Sequence, residues 1–334
     1  MTLGIGVVGT GQMGRYHVER LAGSVPDAAV VAVSDVFVDG AKQVAERVGA
    51  EAYADGHELI ADDRVQAVLI ASPGETHEEF TLACLAADKP VLCEKPLAPT
   101  VDACLRVLEA EAAKPRRLIQ VGFMRRYDDG FRALKATVET GRVGRPLLLH
   151  CRHRNPDVPP GFTTDMMITD SVVHDIDVTR WLLGQEVVGA TVYKARPSSL
   201  APEGLQDPQM VLLETAEGVL VDVESFVTCR FGYDIRYELV AESGTVALGE
   251  LGGVQVRHEG QIQSPIPADY KERFGAAYQH ELSEWVSGVL RGEVVGPSAW
   301  DGYATTAVAE AAVESLTKGG RVAVELAERP ALYA

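Results

Sequence analysis

Short apolar runs separated by helical periodicity fill the first third of the chain. The runs are Leu3–Val8, Ala28–Val33, Ala67–Ala71, Val91–Cys93 and Leu118–Val121. Between them apolar positions recur at helical spacing, with Ala41, Val44, Ala45 and Val48 in one stripe and Val101, Leu105, Leu108 and Ala112 in another. Strand and helix in alternation predict a doubly wound α/β domain, a parallel sheet with helices on both faces, over residues 1–122. From residue 123 onward the texture changes. Strand candidates follow one another without helices between most of them: Leu147–Arg154, Val187–Lys194, Met210–Glu214, Val219–Val227, Arg236–Ala241, Thr245–Leu248 and Val254–His258. Helices are expected at about 128–140, 168–183, 275–290 and 300–317, a surface loop with three prolines at Ala195–Pro208, and a last short strand at Arg321–Leu326. Residues 123–334 are thus expected to form an α+β domain built on a large, mostly antiparallel open sheet.

The junction of the first strand and helix carries the strongest motif, Gly9-Thr10-Gly11-Gln12-Met13-Gly14. Gly9 permits a tight turn, Gly11 lets backbone approach a pyrophosphate, and Gly14 lets helix and strand pack closely. The N–H groups from Gly11 through Gln12 and Met13 then face the anion. The second strand ends at Asp35, where a carboxylate can take both ribose hydroxyls of a dinucleotide. Together these parts make the domain a Rossmann-type NAD site. NADP would bring a phosphate to that carboxylate, and like unit charges about 5 Å apart repel by roughly 3 kcal/mol at an effective dielectric near 20. Val36, which follows, and Phe37 supply no basic group. Lys42 is the nearest cation along the chain.

Composition narrows the partners. A formal net charge of −17 argues against nucleic acid or an anionic membrane. Hydrophobic content of 46% supports a sizeable core. The five cysteines form no CxxC pair and read as buried free thiols of a cytoplasmic protein. No signal peptide precedes the first strand, and no apolar run reaches the ~20 residues of a membrane span.

Chemistry-bearing residues cluster at strand ends. The third apolar run leads into Ser72, Thr76 and His77, at the edge where open α/β sheets bind ligands. Glu94-Lys95-Pro96 follows the fourth run, placing Lys95 to stabilise a developing alkoxide. Asp170 and His174 stand four apart on an expected α-helix, so one lies above the other, and a carboxylate-held imidazole is a general base. The same pair also fits a structural helix-surface contact, or a metal site with Asp177, although no third ligand stands at diagnostic spacing. His150 reads as a sheet histidine, and Arg126 and Arg152 as solvated bases.

These motifs resemble the Gfo/Idh/MocA oxidoreductase family over essentially the whole chain. The segments Gly122–Asp128, His153–Pro156, Thr163–Met166 and Gly232–Ile235 are similar to those of its cyclitol-oxidising members. The resemblance implies NAD-dependent oxidation of the axial hydroxyl of myo-inositol to a ketone. It implies Lys95, Asp170 and His174 as the catalytic trio and no metal. It implies Met124, Arg125, His153, Asn155 and Tyr233, with the trio, as the substrate's surroundings, and Tyr278 as a further candidate beside cofactor or substrate. The family's habit of pairing sheets between subunits implies a homo-oligomer, a tetramer. The proline-rich stretch Asp157–Gly161 matches no family rule. Two rivals remain: a family dehydrogenase acting on an aldose or an amino-cyclitol, and a non-catalytic NAD-dependent sensor, against which retention of the trio argues.

Overall fold

The computed structural model describes residues 1–248 and 256–334, in two compact units. The first comprises Met1–Met124, Tyr278–Thr306 and Ala327–Ala334, the second Arg125–Ala277 and Ala307–Leu326.

In the first unit β1 (Leu3–Val8), β2 (Ala28–Ser34), β3 (Glu51–Tyr53), β4 (Ala67–Ile70), β5 (Val91–Glu94) and β6 (Ile119–Gly122) form one parallel sheet in the order β3-β2-β1-β4-β5-β6. The order reverses direction between β1 and β4, the switch point outside which such sheets bind nucleotides. Strands β1, β4, β5 and β6 are buried at every residue, which is why they read as unbroken apolar runs. Strand β3 escaped sequence detection because it is a three-residue edge strand carrying an exposed glutamate. The helix Gln12–Gly23 buries Gly14, His17, Val18 and Leu21. Leu282, Trp285 and Val286 from late in the chain complete the same core.

The second unit holds a seven-stranded sheet made of β7 (Pro146–Arg154), β8 (Val187–Lys194), β9 (Gln209–Thr215), β10 (Leu220–Phe226), β11 (Asp234–Ala241), β12 (Gly244–Ala247) and the short β15 (Val322–Ala323). Between them β13 (Val256–His258) and β14 (Gln261–Gln263) make a separate hairpin, and the expected start of β13 at 254–255 lies outside the described residues. The sheet order is β12-β11-β7-β10-β9-β8-β15, with β7 and β10 parallel and the other pairs antiparallel. Burial alternates strictly along β9, and Val221, Val223 and Ser225 of β10 share its inner face. Helices cover that face: Phe131 of the helix Asp129–Glu139 meets Tyr237 of β11 edge-on at 4.8 Å. No helix among the described residues is long and apolar enough to cross a membrane.

Candidate active site

Each glycine of the turn has a distinct steric reason. Gly9 adopts φ +94°, and a Cβ there would stand 2.5 Å from Ser72 N. A Cβ on Gly14 would stand 1.9 Å from the Gly9 carbonyl oxygen, so helix and turn touch through backbone. A Cβ on Gly11 would meet nothing within 4 Å. Nothing in the protein crowds position 11, which leaves its backbone open to approach. No side chain caps the helix at Gly11 and no acid stands in its first turn, which leaves its positive end to an anion.

Asp35 is held rigidly beside the turn. Its Oδ2 accepts from Thr10 N (2.6 Å) and Thr10 Oγ1 (3.0 Å), and its Oδ1 accepts from Phe37 N (2.9 Å). Thr10 thus holds the Asp35 carboxylate, a contact that sequence reading passed over. The base beside this turn is Arg15 rather than Lys42: its Nε donates to Thr10 O at 2.8 Å, and a Cβ on Gly40 would stand 3.6 Å from its Nη2. A cavity of about 390 Å³ opens here, with Gly9, Asp35, Val36, Ser72, Thr76 and Phe80 in its wall. Asp55, Gly56 and Phe80 belong to it without any motif to announce them. A carboxylate for the ribose, an apolar wall for the base and free amides for the pyrophosphate fit the adenosine half of NAD.

The Glu94-Lys95-Pro96 segment is anchored from several elements. Glu94 Oε1 lies 2.6 Å from His17 Nε2, and Oε2 accepts from Lys95 N at 3.2 Å. Burial pushes the Glu94 carboxyl up, but His17, Lys95 and His77 more than offset this and hold it below the usual carboxylate range. Ser72 and Thr76 bond each other through their hydroxyls at 2.7 Å. His77 is buried, with Nδ1 2.6 Å from Pro96 O and Nε2 2.9 Å from Ser72 O. Tyr278, also in the first unit, packs edge-on against Tyr16 (5.4 Å) and His17 (5.8 Å).

In the second unit the helix bearing Asp170 and His174 differs from expectation. Met167–Val172 is a π-helix that becomes α-helical at Val173, so the offset between the two residues spans a wider turn than an α-helix has. Asp170 is exposed, while His174 is 8% exposed. Beside His174 stands a residue that sequence reading missed. Asp175 is fully buried, and its Oδ1 accepts from Arg125 Nη1 (2.8 Å) and from the Tyr237 hydroxyl, its Oδ2 from His153 Nδ1 (2.6 Å). A carboxylate only accepts, so the His153 ring donates to it through Nδ1. Burial opposes ionisation of Asp175, yet Arg125 and His153 prevail and bring its pKa to about 2.

Arg125 and His153 are thus brought together by Asp175. Tyr233 packs edge-on against His153 at 6.3 Å. Asn155 keeps a buried Oδ1 without a hydrogen-bond partner. Met124 is buried in the first unit, which also holds Lys95, whereas Asp170 and His174 belong to the second. Arg126, read as solvated, instead pairs with buried Asp177 through Nε at 2.9 Å and Nη2 at 2.5 Å. Arg152 is 44% exposed and His150 bonds Asp222. The stretch after Asn155 is pinned by Val158 and Phe162, which pack on Met167, Leu205 and Val227.

Residues 3–123 match the model of an oxidoreductase family with an NAD-binding Rossmann fold, and residues 135–324 match that family's C-terminal alpha/beta domain. The chain belongs to the Gfo/Idh/MocA oxidoreductase family. It is 51% identical to an inositol 2-dehydrogenase of Pseudomonas fluorescens and 49% identical to one of Azotobacter vinelandii, covering 99% or more of every chain concerned. Among solved structures it resembles myo-inositol dehydrogenase from Lactobacillus casei, crystallised with NAD(H) and myo-inositol, with a TM-score of 0.98 and 37% identity over all of both chains. A scyllo-inositol dehydrogenase of the same organism gives 0.89 and 26%, over 97% of this chain and 99% of that one.

The two helix-side glycines should separate experimentally. Gly14→Ala is expected to lower stability by about 1–3 kcal/mol, because backbone must move. Gly11→Ala should leave the melting temperature unchanged and weaken NAD binding by about tenfold or more. Thermal unfolding and NAD titration on both variants check this; a Gly11→Ala protein with native NAD affinity would contradict it.

Asp175 should support stability with a definite pH window. Its folded pKa lies below the unfolded value, so its contribution is complete above about pH 4 and fades as pH falls toward about 2. Asp175→Asn should cost roughly 3–5 kcal/mol at neutral pH, since Arg125 is left buried beside a neutral group. Urea unfolding of both proteins across that range should show the gap narrowing toward the acid end; a constant gap would refute the assignment.

Proposed function

We propose that this protein is an NAD-dependent dehydrogenase that oxidises a cyclitol secondary hydroxyl, converting myo-inositol to 2-keto-myo-inositol. The observation that carries the reading is its full-length likeness to a protein crystallised with NAD(H) and myo-inositol, with Asp35 held rigidly at the end of β2. Bound NAD supplies the hydride acceptor. Glycines 9, 11 and 14 with Gln12 and Met13 hold its pyrophosphate, Asp35 and Val36 its ribose, and Ser72, Thr76, His77 and Glu94 shape the edge beside Lys95. In this reading His174 takes the hydroxyl proton as hydride leaves, because a polyol is too weak an acid to ionise beforehand. Lys95 stabilises charge developing on oxygen, and Asp170 stabilises the imidazolium. His153, Asn155, Arg125, Tyr233 and Met124 complete the substrate ring's surroundings. The retained trio favours an enzyme over a sensor.

Absorbance of NADH with a panel of cyclitols and aldoses tests the reading. Myo-inositol should give the highest kcat/KM, NAD should exceed NADP by about a hundredfold, in line with the charge repulsion at Asp35, and His174→Ala should lose about 10²-fold or more in kcat. An aldose or amino-cyclitol as best substrate would move the protein to another branch of the family, and a lack of turnover with any of them would favour a sensor.

The outer face of the second unit's sheet supports a homo-oligomeric, cytoplasmic protein, read here as a tetramer. Leu148 and Leu220 are direct neighbours across β7 and β10 and are 36% and 41% exposed, and Met210 and Tyr193 are exposed on β9 and β8. The five cysteines are free and buried, as a reducing compartment allows. Light scattering at micromolar concentration should give a tetrameric mass, and Leu148→Lys with Leu220→Lys should dissociate it; a monomeric wild type would refute the interface.

A further inference from the structure

We infer that His17 and His77 are positioning residues for Lys95, gripping the Glu94-Lys95-Pro96 segment from two sides within the first unit. The inference rests on the reading of Lys95 as the catalytic cation. A lysine ammonium rides on a flexible four-carbon stem, so it acts at a defined place only if its backbone is held. On one side Glu94 does the holding: Oε2 accepts the Lys95 N–H at 3.2 Å while Oε1 lies 2.6 Å from His17 Nε2. The carboxylate accepts, so Nε2 donates, and His17 Nδ1 is left buried without a hydrogen-bond partner. That is a costly way to occupy a helix stripe shared with Val18 and Leu21, where an apolar side chain would pack without an orphaned nitrogen. The cost is explicable if Glu94 needs a partner. Opposite, Gly122 keeps clear of the carboxylate, since a Cβ there would stand 3.0 Å from Oε2.

On the other side His77 links the Pro96 carbonyl to the Ser72 carbonyl at the end of β4. Carbonyl oxygens only accept, so the ring holds this segment by N–H donation. His17 sits on the helix that begins at the glycine turn, and His77 begins the helix that follows β4. The elements that frame the dinucleotide cavity therefore also set where Lys95 leaves the backbone.

A double-mutant cycle on the full-length enzyme tests this, reading kcat with saturating myo-inositol and NAD, NAD affinity by titration, and folding by thermal melting. His17→Met should lower kcat about tenfold or more, as small misplacements of catalytic groups do, with NAD affinity within about threefold of native. His17→Gln, which keeps an N–H where Nε2 stood, should restore most of the rate. In a Lys95→Ala background His17→Met should cost nothing further. Equal losses in both backgrounds, or NAD affinity falling in step with rate, would overturn the inference. If His17→Met does not fold, His77→Gln, which keeps the Ser72 contact and drops the Pro96 one, enters the same cycle with the same expectations. Lys95→Ala with native turnover would overturn the catalytic reading of Lys95 itself, and that result needs no change at either histidine.

Discussion

In the first unit the start of the helix Gln12–Gly23 rests, backbone against backbone, on the Gly9 carbonyl. The space left at position 14 is too small for any side chain, as the 1.9 Å separation from an added Cβ shows. Much follows from that contact. It sets the distance from the helix's positive end to the strand ends, and so where an anion can sit. It sets the height at which His17 meets Glu94, one turn further along. It places Thr10 where its N–H and hydroxyl reach Asp35.

The second unit is organised around charge instead. Asp175 is fully buried and accepts from three different side chains, Arg125, His153 and Tyr237, all from other stretches of chain. Desolvating a carboxylate costs several kcal/mol, repaid only when geometry satisfies its lone pairs. What the arrangement provides is directionality. It holds Nδ1 of His153 and the guanidinium of Arg125 in fixed directions around one carboxylate.

How far the chain could be read in advance depended on whether a residue's partners were local. The parallel strands were legible because burial on both faces makes them unbroken apolar runs, and the glycine turn because its reasons are steric and lie within six residues. The strands of the second sheet were legible as runs that follow one another without helices between most of them. The parallel pairing of β7 with β10 was not, because strand order depends on contacts far apart in sequence. Asp175 looked like one more polar residue after His174, since its three partners come from elsewhere. His17 shares a buried helix face with Val18 and Leu21, and its chemistry depends on Glu94 from a distant strand. Phe80 and Asp55 carry no motif and join the cavity only through the fold. The π-turn at Met167–Val172 has no period-based signal that separates it from an α-helix.

Trp285 has a consequence for how the protein is made. It is fully buried with Leu282 and Val286 in the core of the first unit, against residues from β1, β2 and the first helix. A nascent chain that has delivered the whole parallel sheet still lacks this covering, and keeps an apolar strip open to water until residues 282–286 have been made. The N-terminal part cannot close before they have emerged, so the growing polypeptide has reason to engage a holding chaperone, and a messenger truncated before codon 282 would yield a sheet with one face unsealed.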